Sequence, residues 1–245
     1  MSGAVDTAMV LAAGLGTRMR PLTEDRPKPL IEVAGRALLD HALDELAASG
    51  VRRAVVNVHY LADMTEAHVA ARSDLDILIS DERNELMETG GGLAKARPLL
   101  GDGPVLCTNT DQVFVSTPEE RPAARLKAAF DADSMDALLL LQRREETSGY
   151  DGPGDFDLDD KNRLVRRGEA ASAPYVFTGV QIIDTRLLDG APAGPFSTNV
   201  LWNKALERGR LFGIVHEGAW MHVGSPAGLK DAEARLAALR DDRRN

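Results

Sequence analysis

The first segment that could do chemistry is a glycine-rich loop accompanied by two cationic side chains. Residues Leu11–Thr23 read LAAGLGTRMRPLT, and they continue a short apolar run that predicts a buried strand. Glycines allow backbone N–H groups to approach phosphate oxygens closely. Arg18 and Lys28 then supply the positive charge that a bound triphosphate needs. The pattern predicts a phosphate-binding loop.

Two other phosphate-binding loops do not match this segment. A dinucleotide fingerprint has a third glycine where this chain has Met19, and a Walker A loop requires Gly-Lys-Ser/Thr. Two glycines alone are also typical of a plain turn between a strand and a helix. The prolines on both sides of Lys28 favour a phosphate site, because they predict extended backbone that aims the side chain.

Two later segments carry further candidate residues. Asn109-Thr110-Asp111 follows a predicted strand, and the carboxyl ends of parallel strands are where open α/β sheets bind ligands. A turn-forming role for Asp111 is the alternative. The segment Glu88–Gly92 reads ETGGG, which predicts a loop where a ligand approaches the backbone, just before a short helix. A mobile connection is the alternative there.

The elements that must position these residues alternate between strands and helices in the first half of the chain. Hydrophobic periodicity predicts strands at 8–13, 54–58, 75–79, 104–108 and 137–141. It predicts helices at 37–49, 61–72, 91–96 and 118–131. This alternation predicts an α/β fold with a doubly wound, mostly parallel sheet and helices on both faces.

The second half of the chain has a different pattern. Residues 149–174 are rich in Gly, Asp, Arg and Pro and predict a small antiparallel hairpin insertion. Strands are predicted at 176–183 and 211–215, and helices at 195–207 and 225–239, with Ser225 as the N-cap of the last helix. Without an internal repeat or a low-complexity linker, the prediction is one domain over residues 1–245.

Composition limits the classes of partner. The net charge of −9 argues against a nucleic-acid partner, which would require a basic surface. No apolar stretch approaches the length of a membrane span, and the N-terminus lacks the basic segment of a signal peptide. Cys107 is the single cysteine and fits a reducing compartment, so the prediction is a cytoplasmic protein. The sequence carries no signal for the oligomeric state.

The motif LAAGLGTRMRPLT together with PKPL resembles the signature of the sugar-1-phosphate nucleotidyltransferase family. The resemblance runs from about Ala8 to Leu239 and implies a Rossmann-like fold. It implies an enzyme that joins a nucleoside triphosphate to a sugar 1-phosphate and releases pyrophosphate, with Arg18, Lys28 and Asp111 as catalytic residues. The nucleotide-binding residues that it implies are Leu11, Ala12, Ala13, Gly14, Gly16, Thr17, Arg18, Lys28, Glu88, Gly91 and Gly92.

The resemblance also implies a sugar-phosphate site and a metal. The sugar-phosphate residues would be Asn109, Gly154, Asp155, Glu169 and Thr178, and Asp111 would bind Mg²⁺. The chain departs from the family at Thr110, where glycine is usual, and at His222, where the second Mg²⁺ ligand is an aspartate. Mg²⁺ prefers oxygen ligands. His222 therefore coordinates weakly or through water, or Asp111 and phosphates suffice, or Mn²⁺ is accepted, or His222 is only a hydrogen-bonded structural residue.

Within this family, the short chain with ETGGG and the GDF segment at Gly154–Phe156 implies UTP and N-acetylmuramic acid 1-phosphate as substrates, in peptidoglycan recycling. Guanylyl transfer to mannose 1-phosphate, or transfer to another hexose or heptose phosphate, is the alternative. A non-catalytic sugar-nucleotide sensor is a hypothesis of a different class, supported by His222 and Thr110. The presence of Arg18, Lys28 and Asp111 argues against it, because a binding module does not need all three charges.

Overall fold

The computed structural model describes residues 5–117 and 120–242, and in this part of the chain the apolar runs form one sheet of nine strands. The strands, including those of two small two-stranded sheets, are β1 Thr7–Leu11, β2 Glu32–Val33, β3 Arg36–Ala37, β4 Arg53–Val58, β5 Asp76–Asp81, β6 Pro104–Asn109, β7 Gln112–Val115, β8 Ala137–Arg143, β9 Phe156–Leu158, β10 Leu164–Arg166, β11 Tyr175–Asp184, β12 Leu211–Val215 and β13 Ala219–His222. The helices are α1 Leu38–Ala48, α2 Ala62–Ala70, α3 Glu88–Leu100, α4 Pro122–Ala129, α5 Asn199–Glu207 and α6 Pro226–Asp242.

The order of the strands places the ends of the early strands next to one another. Across the large sheet the order is β12, β8, β11, β6, β1, β4 and β5, and the β9–β10 hairpin extends from β11. β1 is parallel to both β4 and β6, whereas β11 is antiparallel to β6 and β8. Leu11 pairs with Asn109, so the glycine-rich loop and the segment after β6 leave the sheet side by side. The predicted mostly parallel sheet with an antiparallel hairpin is confirmed.

Helices cover both faces of the sheet because successive residues of a strand point in opposite directions. Val10 belongs to an apolar layer beneath α1, α2 and α4, to which Leu43 and Leu126 contribute. Met9 belongs to the layer on the other face, where Leu93 of α3 and Trp202 of α5 pack. A smaller apolar cluster joins α6 to the sheet of β7 and β13. The prediction of a doubly wound fold is confirmed.

Several predicted boundaries were wrong. The ETGGG segment is not a loop: α3 begins at Glu88, contains the three glycines and continues through Pro98 to Leu100. Two helices begin later than predicted, α4 at Pro122 and α5 at Asn199, and residues 118–119 of the first prediction lie outside the described residues. The predicted N-cap of α6 is supported, because the Ser225 hydroxyl accepts a hydrogen bond from the Gly228 N–H.

Lys28 is also not in extended backbone. It opens a short 3₁₀ turn, Lys28–Leu30, in which the Leu30 N–H donates to the Pro27 carbonyl at 2.9 Å. Pro29 occupies the first turn, where a missing N–H costs little. The turn, rather than an extended strand, directs the lysine towards the sheet. Among the described residues, no helix combines the length and apolar character that a membrane crossing requires.

Candidate active site

A cavity of about 410 Å³ opens where β1, β4 and β6 end. This is the edge at which parallel α/β sheets bind ligands, because the connecting loops separate there. The cavity brings together eight of the residues predicted from sequence, which are Leu11, Ala12, Ala13, Gly14, Lys28, Glu88, Asn109 and Asp111. The glycine-rich loop after β1, the first turn of α3 and the end of β6 therefore share one cavity.

An ion pair between Lys28 and Asp111 is the main charged feature of this cavity. Lys28 Nζ donates to Asp111 Oδ2 at 2.8 Å, and the two side chains are only 13% and 21% exposed. Burial of Asp111 disfavours its charged form, but the neighbouring His222 imidazole and the charge of Lys28 outweigh burial and hold the pKa of the Asp111 carboxyl well below its usual range. Asp111 is therefore ionised at neutral pH.

His222 is fixed beside the same carboxylate. Its Nε2 lies 3.5 Å from Asp111 Oδ2, and its Nδ1 lies 3.3 Å from the Gly149 carbonyl oxygen. The imidazole stacks on the indole of Trp220, with ring centroids 6.0 Å apart and an interplanar angle of 12°. A Cβ added at Gly224 would come within 2.5 Å of the imidazole ring. The local chain is thus shaped around an imidazole at this position.

Arg18 does not line the cavity that contains Lys28 and Asp111. Its exposed side chain lines a second cavity of about 550 Å³ between residues 149–152 and the start of α6. His222 also lines this second cavity and contacts Asp111 from that side. The predicted catalytic residues are therefore divided between two cavities that meet at the contact between His222 and Asp111.

Two predicted residues of the first loop shape the turn rather than line the cavity. Gly16 has a φ of 62°, and its carbonyl accepts the Thr23 hydroxyl at 2.8 Å. A Cβ at this position would lie 2.9 Å from the Cβ of Lys28, so the glycine permits the turn to pack against the lysine. Thr17 begins the short 3₁₀ helix and is exposed.

Four of the five predicted sugar-phosphate residues are not brought to the cavity, which leaves Asn109. The Thr178 hydroxyl is buried and donates to the Leu140 carbonyl, because the side chain points into the sheet packing. Asp155 accepts the Phe177 N–H at 2.9 Å, and its pKa is raised by burial. Gly154 packs on the Ala173 backbone, and Glu169 is exposed in a turn. These residues belong to the hairpin and its junction with β11.

The glycines of α3 are needed for close packing rather than for loop flexibility. Gly91 and Gly92, both predicted nucleotide-binding residues, are buried inside the helix. The N–H groups of Gly90 and Gly91 both donate to the Phe196 carbonyl, at 2.8 and 3.0 Å. A Cβ at Gly91 would lie 2.6 Å from the Gly194 carbonyl oxygen, so a side chain there would separate the two segments.

Replacing Gly91 with alanine is expected to lower the free energy of unfolding by about 1–3 kcal/mol, the usual cost of overpacking a close contact. The neighbouring atom is backbone, so it cannot rotate away. Urea denaturation measures the loss. Lys95→Ala, an exposed change in the same helix, is the matched control and should leave the midpoint nearly unchanged. A Gly91→Ala protein as stable as the control would contradict this packing role.

Several residues of the cavity wall were not predicted from the sequence. Asn57 and Glu82 both line the cavity, and both side chains are almost completely buried. Thr89 and Ser197 line the side formed by α3 and the segment before α5. An amide within the apolar run of β4 was a signal that could have identified Asn57, whereas Glu82 looks like an ordinary charged residue after a strand.

The chain is similar to proteins that act on sugar phosphates. Residues 7–238 match the family model described as nucleotidyl transferase. The N-acetylmuramate alpha-1-phosphate uridylyltransferase of Caulobacter vibrioides is 49% identical over 97% of this chain and 99% of its own length. The protein of that name from Neisseria meningitidis serogroup B is 35% identical over 94% and 98%. The solved inositol-1-phosphate CTP transferase from T. maritima has a TM-score of 0.77 over 97% of each chain; at 21% identity, this likeness shows the fold alone.

Proposed function

We propose, from the premise that the chain belongs to the nucleotidyl transferase family, that it transfers UMP from UTP to N-acetylmuramic acid 1-phosphate and releases pyrophosphate. The observation that carries the transferase reaction is the ion pair of Lys28 and Asp111 in one cavity with the glycine-rich loop. The two bacterial relatives, 49% and 35% identical along nearly their whole lengths, support this choice of substrates.

The reaction would be an in-line displacement at the α-phosphorus of UTP. A phosphate oxygen of the sugar phosphate forms the new P–O bond, and the bond to the departing pyrophosphate breaks. A phosphate monoester has a second pKa of about 6, so this nucleophile is ionised at neutral pH without a general base. The barrier lies in bringing two polyanions together, and Lys28 would offset their repulsion and stabilise the developing negative charge.

A divalent cation, Mg²⁺ or Mn²⁺, would be held by Asp111. The described residues contain no group of three His, Cys, Asp or Glu side chains that could hold a metal by themselves. Asp111 Oδ2 faces Lys28 and His222, whereas Oδ1 accepts no hydrogen bond from the described residues. One free carboxylate oxygen, completed by phosphates and water, suits the way in which proteins hold Mg²⁺. The bound cation would neutralise phosphate charge.

Exchanging His222 for aspartate is expected to lower the Mg²⁺ concentration needed for half-maximal activity by roughly tenfold, the order by which changes around a metal alter its affinity. The change would place a second carboxylate beside Asp111. A titration of activity with Mg²⁺ measures the effect. His222→Asn is the matched control, because it removes the imidazole without adding charge. An unchanged Mg²⁺ dependence in His222→Asp would place this position outside the metal's surroundings.

A screen of four nucleoside triphosphates against a panel of sugar 1-phosphates tests the proposed function. Pyrophosphate release should be fastest, by kcat/KM, with UTP and N-acetylmuramic acid 1-phosphate. A higher kcat/KM for GTP with mannose 1-phosphate would overturn the proposed substrates but keep the reaction. Binding of nucleotide without release of pyrophosphate from any pair would instead identify a sugar-nucleotide sensor.

We also propose that this reaction takes place in the cytoplasm and serves peptidoglycan recycling. The single cysteine, Cys107, is free and buried, which suits a reducing compartment. The recycling role rests on the proposed substrates. Cell fractionation that recovered the chain outside the cytoplasm would contradict the proposed location.

A further inference from the structure

A buried chain of hydrogen bonds connects two walls of the active-site cavity. The Ala12 N–H at the end of β1 donates to Asn57 Oδ1 at 2.6 Å, and Asn57 Nδ2 donates to Glu82 Oε1 at 2.7 Å. The Met87 N–H, just before α3, donates to Glu82 Oε2 at 3.1 Å. Asn57 is 2% exposed and Glu82 is fully buried. Two side chains thus join the glycine-rich loop to the start of α3.

The two ends of this chain restrict which groups can stand between them. Both ends are backbone N–H donors, at Ala12 and Met87, and backbone donors cannot reverse. An asparagine accepts on one side and donates on the other, so it passes the direction of hydrogen bonding along. The other member must therefore accept on both sides, as a carboxylate does. With Asn57 in the first place, Glu82 satisfies every contact, whereas glutamine would leave two donors facing each other.

Gly92 leaves the space for this pair. A Cβ at Gly92 would lie 3.0 Å from Glu82 Oε1 and 3.1 Å from Asn57 Nδ2. The third glycine of the ETGGG segment therefore allows α3 to lie directly against the two polar side chains. No Lys, Arg or His forms an ion pair with Glu82 among the described residues. The carboxylate is held by N–H donors, which fits a role in fixing backbone rather than in pairing charge.

We propose that Asn57 and Glu82 are positioning residues that set the separation of the two walls between which the nucleotide binds. Ala12 and Ala13 form one wall, and Glu88 and Thr89 form the other. Glu82 acts through the Asn57 side chain and the Met87 N–H, because its own side chain is fully buried. This inference rests on the proposed function, and it assigns the affinity for the nucleotide, rather than the chemical step, to the pair.

Exchanging the two functional groups tests the proposal. Glu82→Gln creates a donor-to-donor contact, and Asn57→Asp places two carboxylates side by side, so either change should raise the KM for UTP at least tenfold. The double variant Asn57→Asp/Glu82→Gln restores a complete set of donors and acceptors with the carboxylate at position 57. Its KM for UTP should return to within threefold of the unaltered protein. The KM for the sugar phosphate should stay within twofold in all three.

The controls separate positioning from other roles. Glu45→Gln is the control change, at a partly buried glutamate that accepts the Ala123 N–H and does not line this cavity, and its KM for UTP should not change. A Glu82→Gln protein with a normal KM would overturn the proposal. A double variant as weak as Glu82→Gln would also overturn it, since the charge at position 82 would then matter by itself. If Glu82→Gln does not fold, the double variant must fold and bind UTP, and its failure to fold would overturn the proposal.

Direct binding of UTP, measured by calorimetry, keeps this test apart from that of the proposed function. If the unaltered protein binds UTP but releases no pyrophosphate with any sugar phosphate, the proposed reaction fails while the dissociation constants of the variants still test the pair. If the unaltered protein releases pyrophosphate and Glu82→Gln has the same KM and dissociation constant for UTP, the positioning role of Asn57 and Glu82 is overturned while the proposed reaction is retained.

Discussion

Replacing Lys28 with alanine is expected to slow turnover by about 10²–10³-fold, the scale on which removal of one charge-stabilising group acts in comparable sites. Lys28 Nζ is the cation that lies 2.8 Å from Asp111 in the cavity. Among the described residues, Lys28 is the only lysine or arginine that lines this cavity, so its loss would remove the counter-charge proposed for the departing pyrophosphate. Arg18 lies in the adjoining cavity and does not line this one, so it is not positioned to replace the lysine.

Steady-state release of pyrophosphate measures this loss, and thermal unfolding checks that the variant folds. The exposed Lys230→Ala in α6 is the matched control, because it removes the same charge from a side chain that lines neither cavity, and it should retain normal turnover. A Lys28→Ala protein that is folded and turns over at a near-normal rate would remove Lys28 from the mechanism.

Replacing Asp111 with asparagine is expected to lower metal-dependent turnover by at least about 10³-fold, because the proposed cation and Lys28 both depend on the carboxylate. Asparagine has almost the same shape but carries no charge. The introduced amide would still fill the space beside His222, but it would be a poor ligand for a hard cation. Loss of the Asp111 charge should therefore weaken the binding of the metal and also alter the position of Lys28.

Two measurements separate these effects. Titration of activity with Mg²⁺ should show no rescue of Asp111→Asn at ordinary concentrations, and the binding of Mn²⁺ in the presence of UTP, followed by electron paramagnetic resonance, should weaken in parallel. Asp25→Asn, at an exposed position, is the matched control. Wild-type activity of Asp111→Asn at ordinary Mg²⁺ would exclude Asp111 as the metal ligand.

The sequence was sufficient to predict the strands of the sheet, because local apolar runs identify buried strands. The run at 211–215 coincides with β12, and the run at 137–141 lies within β8. It was insufficient at the glycines of α3, since three glycines usually predict a loop. In the fold, Gly90 and Gly91 pack closely against Phe196 and Gly194, which lie more than 100 residues later in the chain. The helix can approach these residues because glycine has no Cβ at the points of contact. Such contacts leave no local pattern.

By itself, the sequence determined the alternation of strands and helices and the family, and it identified Lys28 and Asp111 as separate candidate residues, because apolar periodicity and a dense motif are local properties. Only the tertiary structure decided that Lys28 and Asp111, which are 83 positions apart, meet at 2.8 Å while Arg18 faces a neighbouring cavity. It also decided that Asn57 and Glu82 belong to the site. Side-chain direction and burial depend on the packing of distant segments, and no spacing along the chain records them.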